Sequence, residues 1–433
     1  MKILVVSHNV FSKTSNVGKT LSAYFRGVDS KDMAQFYIHS EIPTDDICEN
    51  YYRITDKEAI KSVFTRRSGR VFGKDDIKLD AADTRTDTGN TAKLYQKARS
   101  KRPFIYFARN TWWSLGKWNT KRLRAWLDEF DPDIVFFASG DYAFMYKIAE
   151  KIARMRKIPL VVSCMDDYYF YNKNEKRFGG KLMHRRFMKR VKKTMSYATC
   201  FYPICEKMGR DYSELFGKPY HTLCTPSTFS EPLRYEKDNS ISYIGNLGYK
   251  RFLQLVQLGR ALKTVDAEGK PEFIDVYSGE TREERLALLT EENGIRFHGS
   301  IPADRVLEVI GRSMAVIHTE SFDARTRKMV AYSVSTKIAD SLASGTPLIA
   351  YGPAEVASID YLIENKAALC ITEDDDPAAA LREFIENREL REKTVESALA
   401  LARKNHDPEK NRRMLLDTMA EAAREFGRGQ GIK

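Results

Sequence analysis

Short apolar runs alternate along the chain with stretches whose apolar residues recur at helical spacing. KILVV (2–6) precedes GKTLSAYFRG, DIVFFAS (133–139) precedes DYAFMYKIAEKIARMRK, PLVVSC (159–164) follows, and TCFYPIC (199–205) precedes EKMGRDYSELFG. Strands that are apolar throughout, set between amphipathic helices, are what a parallel sheet covered on both faces requires. The first half therefore predicts a doubly wound α/β domain. Residues 74–101 (KDDIKLDAADTRTDTGNTAKLYQKARSK) are polar and weakly periodic, and predict an excursion from it. The hydrophilic stretch SEPLRYEKDNS (230–240) reads as an interdomain linker. Beyond it the alternation resumes with SISYIGNLG (240–248), FIDVYSG (273–279), IRFHG (295–299), MAVIHTE (314–320), PLIAYG (347–352) and AALCIT (367–372). Two Rossmann-like halves in tandem follow, ending in helices between Pro377 and Phe426.

In such sheets ligands bind beyond the carboxyl ends of the strands, near the reversal of strand order. Two domains facing each other would bring both sets of strand ends to one cleft, so the residues just after each strand are the candidates. After KILVV comes NVGKTL, in which Gly18, Lys19 and Thr20 look like the end of a phosphate-binding loop. That loop needs a further glycine where Lys13 stands, because its backbone must wrap the phosphates closely. A nucleotide-hydrolase loop is thereby disfavoured. Two readings stay open: a glycine that lets an anion approach the next helix start, or a tight turn without a ligand.

Composition narrows the class. At 433 residues, with 42% apolar and 30% charged residues, the chain suits two globular domains. Its net charge of +12 calls for an anionic partner: nucleic acid, anionic lipid or a phosphorylated small molecule. The six cysteines form no CxxC pair, and no zinc spacing is present, so no metal is expected. MKILVVSHN carries too short an apolar run for a signal peptide, and no stretch reaches the roughly 18 to 20 apolar residues of a membrane span. A cytoplasmic protein is expected.

The most informative run is STKIADSLASGTPLIAYGP (335–353). Ser335, Thr336 and Lys337 stand at a helix start, where hydroxyls, amide donors, dipole and ammonium converge as a diphosphate requires. Asp340, one turn on, is placed for a ribose. The same residues also read as an ordinary N-cap followed by a surface lysine. The run resembles the "PSKLYEYLASGKPVIA" segment of retaining glycosyltransferases with the GT-B fold, the GT4 family. HTESFD (318–323) is similar to that family's "PSxxEGFG", and YIGNLGYKR (243–251) to its "GRLxxxKG".

The resemblance implies a GT-B fold of two Rossmann-like domains facing across a cleft, with C-terminal helices returning to the first. The implied boundaries are 1–228 for an acceptor-binding domain, 241–410 for a nucleotide-sugar-binding domain, and 411–433 for the returning helix. It implies Glu320 on the donor-sugar hydroxyls and Asp340 on the ribose. Gly245, Asn246, Arg251, Ser335, Thr336 and Lys337 fall in the donor-binding segments, with Arg251 and Lys337 at the phosphate-binding positions. Asn16 and Gly18 fall in the loop near phosphates and acceptor. Asn246 replaces an arginine of the family, Asp340 is one methylene shorter than its glutamate, and nineteen residues separate Glu320 from Asp340, more than the family carries. Within that insertion Arg325, Arg327 and Lys328 either reach a phosphate or form a solvated loop.

Asp166 and Asp167 follow PLVVSC, where one carboxylate could bind an acceptor hydroxyl or act as a base. Adjacent residues of an extended chain point to opposite sides, so both rarely serve one function. Residues 176–195 hold nine Lys or Arg and no acid, with Met183, Phe187, Val191 and Met195 forming a stripe. That helix suits either an anionic membrane surface or packing on its own domain with solvated cations. The aromatics interleaved with Arg and Lys in RPFIYFARNTWWSLGKW (102–118) favour the membrane, and nucleic acid fits less well because no binding module accompanies the charge.

The expected activity is transfer of a sugar from a UDP- or GDP-linked donor, with no cofactor, to a glycan or lipid-linked glycan acceptor in cell-surface polysaccharide synthesis. Alternatives are a sugar-nucleotide 2-epimerase, for which His8 and His318 are available, and a non-catalytic nucleotide-sugar-binding protein.

Overall fold

The computed structural model describes residues 1–13, 16–65, 68–73, 103–172, 176 and 178–429. The predicted excursion at 74–101 lies outside them. The chain divides into two compact units, one of Met1–Leu223 with Arg412–Lys433 and the other of Cys224–Asn411.

The first unit is built on seven strands: β1 (Ile3–Ser7), β2 (Met33–Tyr37), β3 (Asn50–Arg53), β4 (Arg70–Phe72), β5 (Ile134–Ala138), β6 (Leu160–Cys164) and β7 (Cys200–Pro203). Their order is β4-β3-β2-β1-β5-β6-β7, parallel except for the antiparallel edge pair β3–β4. β1 pairs with β2 at Ile3↔Met33 and with β5 at Ile3↔Ile134, so strand order reverses at β1. Every residue of β1 and β5 is buried, as their apolar runs require.

β2, β3 and β4 were not legible as apolar runs. β2 carries a polar residue at its centre, Gln35, which is fully buried. Its side-chain amide accepts from the Phe11 N–H at 3.1 Å and donates to Ser7 Oγ at 2.9 Å and Asn9 O at 3.1 Å. Gln35 thus satisfies the turn after β1, a need visible only once β2 lies beside β1.

The second unit holds six parallel strands: β8 (Ile241–Ile244), β9 (Ile274–Tyr277), β10 (Ile295–Gly299), β11 (Ala315–Thr319), β12 (Leu348–Tyr351) and β13 (Leu369–Ile371). The order β10-β9-β8-β11-β12-β13 reverses between β8 and β11, the point at which doubly wound sheets bind their ligands. The stretch 230–240, which reads as a linker, belongs to this unit. Leu233 N–H donates to Ser344 O at 3.0 Å and Asp238 N–H to Arg312 O at 2.7 Å, so its polar sequence reflects exposed side chains rather than a free backbone. The helix Pro408–Gly429 carries the chain back, and its Leu415, Met419 and Ala422 join the core of the first unit.

The basic segment forms a helix at Gly180–Tyr197, opened by Gly179 at φ 72°. Its stripe does not face lipid: Phe187, Val191 and Met195 are buried, and Phe187 meets Tyr146 edge-to-face. The physical reason is the buried Glu150 of the helix Ala143–Arg156, which accepts from Arg190 at 3.0 Å and from Thr194 Oγ1 at 3.2 Å and draws this face inward.

Candidate functional site

In the second unit the predicted donor residues converge on the reversal between β8 and β11. Lys337 reaches back from the helix Thr336–Ala343 to donate from Nζ to the Ile244 carbonyl, the last of β8, at 2.8 Å. Gly245 follows, its N–H donating to Tyr277 O at 2.9 Å. A Cβ there would stand 3.0 Å from Lys337 Nζ and 2.9 Å from the Tyr243 hydroxyl oxygen, so only glycine lets the ammonium lie this close to the backbone. Asn246 shapes the turn: its carbonyl accepts from Tyr243 Oη at 2.7 Å and its Oδ1 from the Gly248 N–H. Tyr249 and Lys250 then adopt φ of 56° and 61°, and the helix Arg251–Thr264 begins with no side-chain cap. The N–H groups of Arg251 and Leu253 are taken by the Gly248 and Lys250 carbonyls at 3.2 and 3.0 Å, so what this terminus offers an anion is chiefly its dipole.

Arg251 holds Glu320 in a fork, Nε to Oε2 at 3.1 Å and Nη2 to Oε1 at 2.6 Å. Glu320 is 1% exposed, so the residue matched to the donor-sugar hydroxyls sits beneath the site as the counter-ion of Arg251. Burial pushes its carboxyl up while Arg251 pulls it down. Burial likewise opposes the Arg251 charge, and Glu320 more than offsets this. His318 on β11 is lowered to about 3 by burial and by the charges of Arg251 and Lys337, and its Nε2 lies 2.9 Å from Ser358 Oγ. Lys250 pairs with Asp323 at 2.6 Å.

Ser335 is the N-cap of its helix, accepting from the Lys337 N–H, and Thr336 is exposed on its first turn. The cap reading holds for Ser335, and Lys337 is an exposed residue whose ammonium nonetheless donates to the strand-end carbonyl of Ile244. Asp340 Oδ1 accepts from the Thr228 N–H at 2.7 Å and from Thr228 Oγ1 at 2.9 Å. That link to Thr228 has no local sequence signal, because the pair lies 112 positions apart. The insertion after Glu320 forms the helix Ala324–Val330, capped by Asp323, and Arg327 is held by Glu355 at 3.0 Å and Glu373 at 2.8 Å.

Burial and the Arg251 charge together lower Lys337 to about 8. A diphosphate requires the protonated amine. UDP affinity is therefore expected to fall as pH rises through 8, by up to about tenfold per pH unit, with a proton taken up on binding near that pH. Calorimetry in buffers of different ionisation enthalpy reads both, and a flat affinity between pH 7 and 9 that is also unchanged in Lys337→Ala would exclude Lys337 as the phosphate contact.

In the first unit, Gly18 lies on the first turn of the helix Asn16–Phe25. A Cβ there would stand 2.4 Å from Val10 O and 2.8 Å from Ser12 Cβ, so glycine is what lets the turn after β1 pack against this helix. Asn16 opens that helix, and its side chain lies outside the described residues. Asp167 is buried, with Oδ1 accepting from the N–H groups of Tyr169 and Phe170 and from Tyr212 Oη, and Oδ2 from the Tyr171 N–H. Its oxygens serve the turn after β6, which makes it a structural carboxylate. Asp166 Oδ1 accepts from the Asp167 N–H at 3.0 Å, and Asp166 lines a cavity no larger than a water molecule with Ser139, Cys164 and Tyr146.

Sequence reasoning missed a cluster where β1 and β5 end. Arg109 Nε donates to Asp56 Oδ1 at 3.0 Å, its Nη2 donates to His8 Nε2 at 3.2 Å, and its guanidinium lies 4.0 Å from the Tyr142 ring centroid. Burial, then the Arg109 charge, lower His8 to about 3. The signal available was RPFIYFARNTWW itself, whose Arg109 was read as part of an interface rather than as a strand-end ligand.

Residues 261–417 match a family described as glycosyl transferase-like. No curated protein matches the chain in sequence. Among solved structures, HepE of Anabaena in complex with UDP shares 11% identity at a TM-score of 0.59, over 97% of this chain and 100% of that one. Sucrose-phosphate synthase of Thermosynechococcus elongatus shares 10% at 0.58, over 97% and 99%. The α,α-trehalose 6-phosphate synthase of Burkholderia multivorans shares 12% at 0.62, over 99% and 98%. Likeness at these identities concerns the fold: two parallel-sheet α/β units with a returning C-terminal helix, the GT-B architecture.

Proposed function

We propose that the protein is a glycosyltransferase that moves a sugar from a UDP- or GDP-linked donor to a glycan or lipid-linked glycan acceptor, with retention of configuration. The observation that carries this reading is the Lys337 ammonium on the Ile244 carbonyl, 2.8 Å away at the strand-order reversal, beside the uncapped helix start at Arg251. Sugar transfer from such a donor needs a stabilised diphosphate leaving group more than a strong nucleophile. Cation and helix dipole supply that stabilisation electrostatically. No cofactor enters this reading, the nucleotide sugar being a substrate. The match of residues 261–417 and the UDP and UDP-glucose held by HepE support it.

The 2-epimerase reading is weakened by the histidines it would use. His8 and His318 are both held near 3, and the lone pair of His8 Nε2 is taken by Arg109, so neither exchanges a proton near neutral pH. Purified protein offered a panel of UDP- and GDP-sugars should bind at least one and release the nucleotide slowly by hydrolysis. Binding without any turnover, with acceptors supplied, would favour the sensor reading; no binding at all would refute the transferase.

The exposed cations of Gly180–Tyr197 also support a peripheral contact with an anionic inner-membrane face, near the site of lipid-linked acceptors. Among the described residues no helix is long and apolar enough to cross a membrane. Lys181, Arg185, Arg186 and Lys189 are exposed, close to the exposed Phe178 and Leu182, whereas Arg190 is committed to Glu150. Reversing those four charges should weaken co-sedimentation with phosphatidylglycerol vesicles by about 100-fold or more, at about 1 kcal/mol per cation. Unchanged co-sedimentation rules the helix out.

A further inference from the structure

The reversal of strand order in the first sheet, between β1 and β5, carries a polar cluster that the donor site does not use. His8 follows β1, and Tyr142 lies just beyond β5. Their rings stack with centroids 5.5 Å apart, and Tyr106 stacks on the same Tyr142 at 5.6 Å. Against this aromatic layer stands Arg109, from the helix Pro103–Leu115. Asp56 accepts both from Arg109 Nε at 3.0 Å and from Trp113 Nε1 at 2.7 Å, so carboxylate and guanidinium are fixed in orientation from behind. Asp56 takes Nε, His8 takes a single hydrogen of Nη2 and Tyr142 also hydrogen-bonds the group, whereas a guanidinium carries five N–H donors.

The cluster is reachable. The Arg109 side chain is 17% exposed, and a Cβ placed on Gly140, between β5 and Tyr142, would meet no atom within 4 Å. An arginine held by one carboxylate oxygen, stacked on an aromatic ring and set at a strand-order reversal beside open space, is an anion-recognition group with donors in reserve. Arg109 shares its charge there with the carboxylates of Asp56 and Asp141, which suits a singly charged ligand over a polyphosphate.

We infer that this strand-order reversal binds the acceptor and that the acceptor is an acidic sugar, its carboxylate or phosphate resting on the outer donors of Arg109. This rests on the transferase reading for the word acceptor, and on the Arg109 cluster for the charge. Arg109 is a binding residue here, His8 and Asp56 position it, and donor binding belongs to Lys337 in the other unit.

The test is ligand-observed NMR on the full chain with four probes: glucuronic acid, glucose 6-phosphate, glucose and inorganic phosphate. Wild type should bind the two sugar acids about tenfold more tightly than glucose. Arg109→Gln should erase that preference while hydrogen exchange at the β1 and β5 amides stays as in wild type, which certifies the fold of the first unit; UDP affinity, a property of the other unit, should not change. Should Arg109→Gln lose that protection, Arg109→Lys takes its place; it keeps the charge without the fork, and the preference should drop several-fold. The inference is overturned if glucose binds as well as the acids, if the preference survives in the variant used, or if inorganic phosphate displaces both acids at equal concentration. A wild type that fails to bind UDP would sink the transferase reading instead, and the sugar-acid comparison would remain readable.

Discussion

Lys337→Ala should weaken UDP binding by about 10- to 100-fold, the loss expected when a charge-assisted hydrogen bond of about 1.5 to 3 kcal/mol is removed. The ammonium lies on the last carbonyl of β8, and the first amides of Arg251–Thr264 are partly taken by backbone carbonyls, so one side chain supplies the mobile charge of the site. Lys337→Arg should not rescue it. A planar fork is wider than an ammonium, and the room over Gly245 is already so limited that a Cβ there would sit 3.0 Å from Nζ. Lys337→Met keeps the aliphatic stem and separates charge from packing; it should behave like alanine for UDP and like wild type for stability. Titration calorimetry reads all three. A Lys337→Ala affinity within threefold of wild type would remove this lysine from the phosphate site and, with it, the main support for the proposed donor geometry.

Breaking the Arg251–Glu320 pair should have a larger effect, on stability as well as binding. Glu320 is 1% exposed, and both its oxygens are held by one guanidinium. Arg251→Met leaves that carboxylate buried without its counter-charge, at a cost of about 3 to 5 kcal/mol. The double variant Arg251→Met with Glu320→Leu removes both charges and should recover most of the loss, since replacing a whole buried pair is close to neutral. Hydrogen exchange at the β8 and β11 amides under native conditions isolates the second unit from the first. Because burial already pushes the Glu320 carboxyl up, removing Arg251 takes away its counter-effect and raises it further. The Arg251→Met cost should then be greatest at neutral pH and shrink on acidification, as the lone carboxyl takes up a proton. A double variant no more stable than the single one would contradict this account of the pair.

Much of the fold was legible because apolar content is a local property. Nine strands announced themselves as mainly apolar runs, β1, β5 to β9 and β11 to β13, since a strand covered on both faces cannot hide its composition, and the edge strand β10 showed as the alternating IRFHG. The three that did not, β2 to β4, lie toward one edge of their sheet, and β2 has Gln35 at its centre. A buried glutamine looks like a loop residue until its neighbours are known. The stripe on Gly180–Tyr197 was legible as a stripe, but its partner was not, because lipid and a neighbouring helix ask the same spacing of it. Glu150 and Tyr146 decided in favour of the domain.

The same division runs through the candidate site. Alone, the sequence determined that a hydroxyl, a lysine and a glycine stand at strand-to-helix junctions of a doubly wound sheet, because turn and cap chemistry is written within a few residues. It did not contain what those residues touch. Lys337 meets a carbonyl 93 positions away, Arg251 a carboxylate 69 away, Asp340 a threonine 112 away and Arg109 a histidine 101 away. Those partners exist only once parallel strands out of sequence order lie side by side. That is why tertiary structure alone made Glu320 the buried anchor of Arg251, packed the turn after β1 against Gly18, and brought Arg109 to a strand end that no local pattern had marked.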